Sequence, residues 1–255
     1  MSDVPLQVYV VPVLMVGITG YMVLRARKMR AQFLNDNPQY GLGVLAQRWH
    51  LQMVEGDPTY NLFINNRDVE VGTNTPIVAG MTGHTPAHTA RMVGEHRGHP
   101  VQFELYDQTA IEKGVIQTTY TRTYRAVLSV GVNANVPPFE VVLRNENQYL
   151  VVERQLQAPE QRTGNFALDQ ALTLLSHDPN VGPALAPVMG PLTAMTYVHV
   201  VGGDGSVRFE MSPLGTSYGV YYAETVLQVL LAMADILEGR QPVMPAPPPP
   251  PMAPR

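Results

Sequence analysis

The chain has 255 residues, of which 45% are apolar and 15% are charged, and it contains no cysteine. This length suits one domain with appendages and is sufficient to bury a hydrophobic core. Without cysteine the chain cannot form a disulfide, a Cys-ligated zinc site, an iron–sulfur cluster or a thiol nucleophile. Its net charge of −4 argues against a nucleic-acid partner, because general nucleic-acid binders carry a basic surplus.

The first element is an uncharged apolar run over residues 4–24, which follows a short N-terminus, residues 1–3. At ~1.5 Å per residue a helix over this run spans about 31 Å, the thickness of a bilayer core. Four basic residues come directly afterwards, namely Arg25, Arg27, Lys28 and Arg30. The positive-inside rule therefore predicts a single-pass helix in a bacterial cell membrane, with the N-terminus outside and the main domain cytoplasmic. The alternatives are a cleaved signal peptide, whose positive charges would come first, and a buried helix of a soluble protein.

The predicted membrane helix offers two kinds of contact. Gly17 and Gly20 form a small-residue face on which a helix of another membrane protein could pack. The four basic residues form a collar that is attracted to anionic lipid headgroups. From residue 31 onward the chain has 13 positive and 20 negative residues, a net charge of −7 (13 − 20). We therefore expect the anchor to contact lipid and the acidic domain to stand away from the bilayer.

Two segments of mixed composition follow the anchor. Residues 25–71 are predicted to form the basic collar and a juxtamembrane helix, because apolar side chains recur with helical spacing around Leu42 and Trp49. Residues 72–93 are rich in Gly, Thr, Pro and His, which predicts a long loop.

Residues 94–240 are predicted to form the cytoplasmic domain. Alternating or β-rich segments predict strands at 101–107, 116–132, 139–144 and 148–156, with a turn at 112–114 between the first two. Residues 166–192 are ambiguous between helix and strand. A Gly/Asp turn inside 196–211 predicts the clearest hairpin.

The last two predicted elements are a helix and a tail. Residues 219–238 have helical spacing and are followed by Gly239, a residue typical of helix C-termini. A second membrane span is disfavoured here, because Glu224, Gln228 and Asp235 would be costly in lipid. This helix is therefore predicted to pack on the sheet. Residues 241–255 are predicted to be a disordered proline-rich tail, which could bind a partner with a polyproline groove.

The order of short motifs resembles a family of bacterial membrane proteins of unknown function that is widespread in actinobacteria. These motifs are Gln47-Arg48-Trp49 before Gly56-Asp57-Pro58, the strand opening Gly94–Phe103, Pro137–Val141, Thr163–Asp169 and Asp178-Pro179. The resemblance covers most of the region after the anchor, and the segment 72–93 and the proline-rich tail depart from it. It implies an N-terminal transmembrane segment followed by a cytoplasmic α+β domain, and it supplies no activity or catalytic residues.

The fold class predicted from these elements is α+β. It comprises a single N-terminal transmembrane helix and a mostly antiparallel sheet domain with a packed C-terminal helix. No cofactor is expected.

Four histidines are the strongest candidates for a chemical site, namely His84, His88, His96 and His99. Imidazoles spaced in this way can share a transition metal. Thr85-Pro86 and Gly98 argue against a helix here, and Glu95 is the one carboxylate among the four. We therefore expect solvated loop residues and no metal site.

No catalytic signature emerges elsewhere. The carboxylates are scattered, and the serines lack a Gly-x-Ser-x-Gly setting. Residues Tyr120, Arg122, Tyr124 and Arg125 lie in a Thr/Tyr-rich strand and could form a protein interface. The leading hypothesis is a non-enzymatic accessory or scaffolding protein, for example a subunit of a larger membrane complex. The alternative is a ligand sensor or enzyme with a pocket between the sheet and the C-terminal helix.

Overall fold

The computed structural model describes residues 21, 41–60, 83–84, 87–113, 118–144, 155–195, 197–211 and 216–245. The helices are α1 (Leu42–Arg48), α2 (Phe166–Ala171), α3 (Val181–Met189) and α4 (Thr216–Leu237), with a 3-10 helix at Gly190–Ala194. The strands are β1 (Leu51–Glu55), β2 (Gly83–His84), β3 (His88–His96), β4 (His99–Lys113), β5 (Thr118–Gly131), β6 (Phe139–Leu143), β7 (Glu160–Gln161), β8 (Leu172–Ser176), β9 (His199–Gly203) and β10 (Ser206–Met211).

All the described strands belong to one sheet, and every pairing in it is antiparallel. The strand order is β1-β3-β4-β5-β10-β9-β6-β8-β7, and β2 pairs with β4. An antiparallel sheet with helices confirms the predicted α+β class.

Tight turns join two of the hairpins. Arg97 and Gly98 have φ values of 52° and 79°, and Asp204 and Gly205 have φ values of 49° and 68°. Two successive residues with positive φ form the type I′ turn, whose twist matches that of paired strands. The predicted hairpin within 196–211 is thus confirmed, since β9 and β10 flank the turn at Asp204-Gly205.

The core lies between one face of the sheet and α4. Phe103, Leu128 and Phe209 come from three neighbouring strands and are almost completely buried. Leu230 of α4 is buried in the same cluster. Trp49, which follows α1, contacts Phe103 edge-on with a ring-centroid distance of 6.2 Å. The large apolar side chains of strands and helices therefore form one continuous core.

The C-terminal helix packs on the sheet as predicted. Its residues from Val229 to Ala234 are all buried, which indicates a helix that is enclosed on more than one side. The helix ends at Leu237 and is followed by Gly239, whose φ is +70° and whose N–H donates to Ile236 O over 2.9 Å. The Arg240 N–H donates to Asp235 O over 2.7 Å, so this glycine closes the helix as predicted.

None of the described helices is both long and apolar enough to cross a bilayer. The predicted membrane segment 4–24 lies outside the described residues apart from Tyr21. Gly17, Gly20 and the basic collar also lie outside them, as does the tail beyond residue 245.

The loop predicted for residues 72–93 is wrong where the structure describes strands. Residues 88–93 belong to β3, and Gly83–His84 form β2. In β3 the residues Ala90 and Met92 are buried and most others are exposed or half-buried. This strand therefore lacks the apolar alternation by which a strand is recognised from sequence.

The predicted N-terminal boundary of the domain at residue 94 is also wrong. Strand β1 lies within the segment 25–71 and pairs with β3, with Leu51 opposite Gly94. Leu42 and Leu45 of α1 are buried in the same core. The sheet domain therefore begins before residue 51.

Two turn and strand predictions need correction. Glu112 and Lys113, predicted to lie in a turn, remain paired in β4, and residues 114–117 lie outside the described part. The predicted strand 148–156 lies mostly outside it, and its last two residues, Gln155 and Leu156, are irregular. Their amides donate to the buried side-chain carboxylate of Glu140 instead of to the backbone of a neighbouring strand.

The ambiguous segment 166–192 contains both kinds of structure. It forms α2, β8, α3 and the start of the 3-10 helix. Asn165 caps α2 by accepting hydrogen bonds from Ala167 N and Leu168 N. Pro187 lies within α3, which continues into the tighter 3-10 helix at Gly190.

Candidate functional site

The predicted interface residues lie on a two-stranded ribbon that extends beyond β3 and β10. Strand β3 pairs with β4 as far as Asp107, and β10 pairs with β5 as far as Ala126. Strands β4 and β5 remain paired with each other out to Lys113 and Thr118. We call residues 108–113 and 118–125 the projecting ribbon. At ~3.3 Å per residue it extends about 20 Å past its neighbours.

The ribbon has different surroundings along its two sides. On the β4 side, β2 covers part of the edge by pairing Gly83 with Ile111 and His84 with Ala110. On the β5 side, no strand in the described ranges pairs with residues 118–125. We call residues 118–125 on that side the free edge.

The hydrogen bonds of β5 show which residues face the free edge. The Val132 N–H donates to Gly205 O over 2.8 Å, so it points to the side occupied by β10. Backbone N–H groups point alternately to the two sides of a strand. The register of β5 is unbroken from Gly131 to Thr118. The even-numbered residues therefore direct N–H and C=O to the free edge, and these residues are Thr118, Tyr120, Arg122 and Tyr124.

Alternation divides the predicted interface residues between the two faces of the ribbon. Tyr120, Arg122 and Tyr124 occupy positions on the same face as Ala126. Arg125 lies on the opposite face and is exposed. The backbone register thus places the first three positions on one face of the ribbon and Arg125 on the other.

The free edge has the opposite charge to the chain as a whole. Residues 118–125 (TTYTRTYR) contain Arg122 and Arg125 and no carboxylate. The net charge of the chain is −4. The residues of the free edge therefore carry a net positive charge, which favours an acidic segment over a basic one.

A buried histidine–carboxylate pair joins the β3–β4 turn to the C-terminus of α4. His99 has no exposed surface, and its Nε2 lies 2.9 Å from Asp235 Oδ1. Its Nδ1 lies 3.1 Å from Gly131 O and 3.6 Å from Glu238 Oε1. Both ring nitrogens therefore have partners within the chain. The expectation that His99 is a solvated loop residue is wrong, because these acceptors make its burial favourable.

Two arginines surround this pair. Arg97 Nη1 lies 3.4 Å from Asp235 Oδ2, and Arg240 Nη2 lies 2.7 Å from Glu238 Oε2. Arg240 also donates to Arg97 O over 3.2 Å. The cluster fastens the end of α4 to the sheet, so its polar groups have a structural role.

A second buried pair lies on the opposite face of the sheet. Glu140 of β6 is completely buried, and its Oε1 lies 2.9 Å from His199 Nε2 of β9. The N–H groups of Gln155 and Leu156 donate to Glu140 Oε2 over 3.0 Å and 2.8 Å. Glu140 thereby fixes the irregular segment after residue 154 across the sheet.

A third polar cluster organises the turn before α2. Asp169 Oδ1 accepts hydrogen bonds from the N–H and the hydroxyl of Thr163, each over 2.8 Å. Burial raises the pKa of Asp169, but these two hydrogen bonds, together with the positive charges of Arg162 and Arg144, hold the pKa below its ordinary value of 3.8. The predicted motif Thr163–Asp169 is therefore a local turn held by its first and last residues.

The candidate histidines whose side chains are described, His88, His96 and His99, do not form one cluster. His88 and His96 lie at opposite ends of β3, separated by about 26 Å at ~3.3 Å per residue. The ring of His88 contacts the ring of Tyr60 at a tilt of 45°, and His96 Nε2 contacts Trp49 O. The ring of His99 is occupied by Asp235. Within the described part of the chain, no group of three or more His, Asp or Glu residues is arranged to hold a metal ion.

Sequence reasoning missed the two buried histidine–carboxylate pairs. The partners lie far apart in the chain, with His99 and Asp235 separated by 136 positions and Glu140 and His199 by 59. A local pattern cannot indicate such a contact. The one local signal for a buried carboxylate is an ionisable residue within an otherwise apolar strand, such as Glu140 in FEVVL.

Comparison with known proteins identifies no family. No family model matches the chain, and no curated protein matches it. Among solved structures, it is similar to the crystal structure of the mycobacterial trehalose monomycolate transport factor A, with 11% identity, coverage of 78% of this chain and 93% of that chain, and a TM-score of 0.37. A similarity at this TM-score carries no argument about fold or function. The resemblance to a family of membrane proteins therefore stays a prediction.

Proposed function

We propose that this protein is a single-pass, membrane-anchored accessory or scaffolding protein whose cytoplasmic domain holds another protein of a membrane complex. The observation that carries the proposal is the projecting ribbon. Strands β4 and β5 continue past β3 and β10, so this part of the hairpin has few neighbours within the described fold. An extension of this kind is typical of a binding element presented by a rigid scaffold.

The rest of the described domain supplies that scaffold. The core between the sheet and α4 is continuous, and the end of α4 is fastened to the β3–β4 turn through His99 and Asp235. The ribbon is the outer part of the same two strands that cross the core with Phe103 and Leu128. A partner bound to the ribbon would therefore be held at a fixed position relative to the domain.

The proposal assigns no catalysis to the buried histidines and carboxylates. The ring nitrogens of His99 are occupied by Asp235 and Gly131, and Glu140 already accepts from three donors. A catalytic acid or base must exchange a proton with a substrate within hydrogen-bond reach. No described contact favours the alternative of a ligand-sensing pocket beside α4.

The membrane location rests on the sequence. The uncharged run 4–24 and the basic collar after it support an anchor with the domain on the cytoplasmic side. Gly17 and Gly20 would allow close packing with a helix of a membrane partner. The proline-rich tail beyond residue 245 is a further candidate contact for a partner with a polyproline groove.

The test is purification of the tagged full-length chain from its native membrane in a mild detergent. We expect a stoichiometric second protein, which mass spectrometry identifies, in the membrane fraction. A variant that lacks residues 4–24 serves as the control for anchoring, and it should leave the membrane fraction. Recovery of the intact chain alone and monomeric, with or without chemical crosslinking before lysis, would contradict the proposal.

A further inference from the structure

We infer that the free edge of β5 binds an extended acidic segment of the partner, which adds to the sheet as a further antiparallel or parallel strand. This inference rests on the proposed function, because it names the surface and the chemistry through which the partner is held. It goes beyond that proposal by assigning the contact to backbone hydrogen bonds at residues 118–125.

The backbone geometry supplies the first argument. Thr118, Tyr120, Arg122 and Tyr124 direct their N–H and C=O groups away from β4, as the bond from Val132 N to Gly205 O establishes. Strand β10 pairs with β5 from Gly131 to Ala126, and from Arg125 to Thr118 no described strand pairs with that side of β5. A row of such groups is the template that an incoming strand uses in β-augmentation.

The residues of the edge suit that role. Thr and Tyr favour extended conformation, and residues 118–125 contain six of them. No proline or glycine interrupts the row. Natural edge strands that avoid pairing are commonly short, bulged or interrupted by proline, and this edge is regular over its whole length.

Charge identifies the class of the incoming segment. The edge carries Arg122 and Arg125 on opposite faces, so an acidic strand could place a carboxylate beside each of them. A second copy of this chain would instead bring four arginines into one small ribbon. From residue 31 onward the chain has a net charge of −7, so charge favours an acidic segment at this positive strip over most of the folded body.

The test uses the full-length chain in detergent and two short labelled peptides. One peptide alternates glutamate with valine, and the other has lysine in place of glutamate. Fluorescence anisotropy measures binding, and hydrogen exchange measures protection of the amides at 118–125. We expect the glutamate peptide to bind and to protect these amides, and the lysine peptide to bind roughly fivefold or more weakly.

Two matched pairs of variants separate the backbone contribution from the charge contribution. Tyr120→Pro removes the N–H that faces the free edge, and Tyr120→Val keeps it. Proline is tolerated at such a position in an edge strand, so the fold should be retained. We expect the proline variant to lose affinity about fivefold or more relative to the valine variant, the equivalent of one net hydrogen bond. The double variant Arg122→Gln/Arg125→Gln should lose the preference for glutamate, whereas Arg91→Gln, at an exposed position on β3, should keep it.

Several results would overturn the inference. Equal affinity of the Tyr120→Pro and Tyr120→Val variants would exclude strand addition at this edge. Self-association of the double arginine variant with unchanged peptide binding would show that the arginines only prevent edge pairing. Dimerisation of the unmodified chain through residues 118–125 would make a second copy the occupant.

The inference and the proposed function fail separately. If native purification returns a partner that Tyr120→Pro and Tyr120→Val retain equally, the accessory role stands and the assignment of the edge is wrong. If the chain is recovered alone while the glutamate peptide binds as expected, the edge binds acidic strands and the accessory role is wrong.

Discussion

At the scale of single residues, Glu140 shows how one buried carboxylate organises distant parts of the chain. It is completely buried and accepts hydrogen bonds from His199 and from the amides of Gln155 and Leu156. Burial of a carboxylate is costly unless such donors compensate. The residue therefore ties β6, β9 and the irregular segment to one another.

We predict that Glu140→Ala lowers the free energy of unfolding by about 3–5 kcal/mol, because it leaves His199 and two amides without their acceptor. The matched control is Glu104→Ala, an exposed carboxylate on the same sheet, which should change it by less than about 0.5 kcal/mol. Denaturant unfolding can be followed by fluorescence of Trp49, the single tryptophan, which is 2% exposed. Equal losses in the two variants would refute this role of Glu140.

The residue scale is also where prediction from sequence is weakest. Its neighbours in sequence suggest that His99 is solvated, yet its environment is set by Asp235 and Gly131. This contact depends on the tertiary packing of the end of α4 against the β3–β4 turn. The local sequence around His99 gives no indication of that packing. The interface role of Tyr120, Arg122 and Tyr124 follows from residue type alone and stays a prediction.

At the scale of elements, the predictions are reliable where a local pattern decides the structure. The β9–β10 hairpin follows from its Asp204-Gly205 turn, and α4 follows from its apolar spacing and Gly239. The prediction fails for β3 because one of its faces is open to solvent and Ala90 and Met92 are its fully buried residues. A strand at this position is specified by its long pairing with β4, which is not visible in its own composition.

The pairing of β6 with β9 gives a prediction for the sheet. Gly202 lies opposite Phe139, and a Cβ at Gly202 would overlap the Phe139 ring. We predict that Gly202→Ala lowers the free energy of unfolding by about 1–3 kcal/mol, because the ring must leave its packed position. Thermal unfolding monitored by circular dichroism measures the change.

The control for this substitution is Gly190→Ala. Gly190 has helical dihedrals, and a methyl group added there would meet no described atom of another element within 4 Å. Alanine should therefore be tolerated at this position without loss of stability. If Gly202→Ala were as stable as this control, the close packing of Phe139 over the β9 backbone would be incorrect.

At the scale of the whole molecule, the chain combines an acidic folded body with a short basic collar. The collar is Arg25, Arg27, Lys28 and Arg30, and it separates the apolar run 4–24 from the domain. Among the described residues, the sheet and the helices packed on it enclose one continuous apolar core. The predicted division between a membrane anchor and the folded body therefore depends on the composition of the first thirty residues.

Because the chain has no cysteine, single cysteines can report its orientation without background labelling. We predict that a membrane-impermeant maleimide labels Ser2→Cys in intact cells. The same reagent should label Glu95→Cys, at an exposed position on β3, only after the membrane is opened. The physical reason is the positive-inside rule, by which basic residues next to a predicted membrane helix favour the orientation that leaves them in the cytoplasm. Replacing these four residues with glutamine should therefore make the orientation mixed, with part of the Glu95→Cys population labelled in intact cells. Labelling of Glu95→Cys in intact cells with the basic residues present would instead place the sheet domain outside, and the partner would have to be sought there.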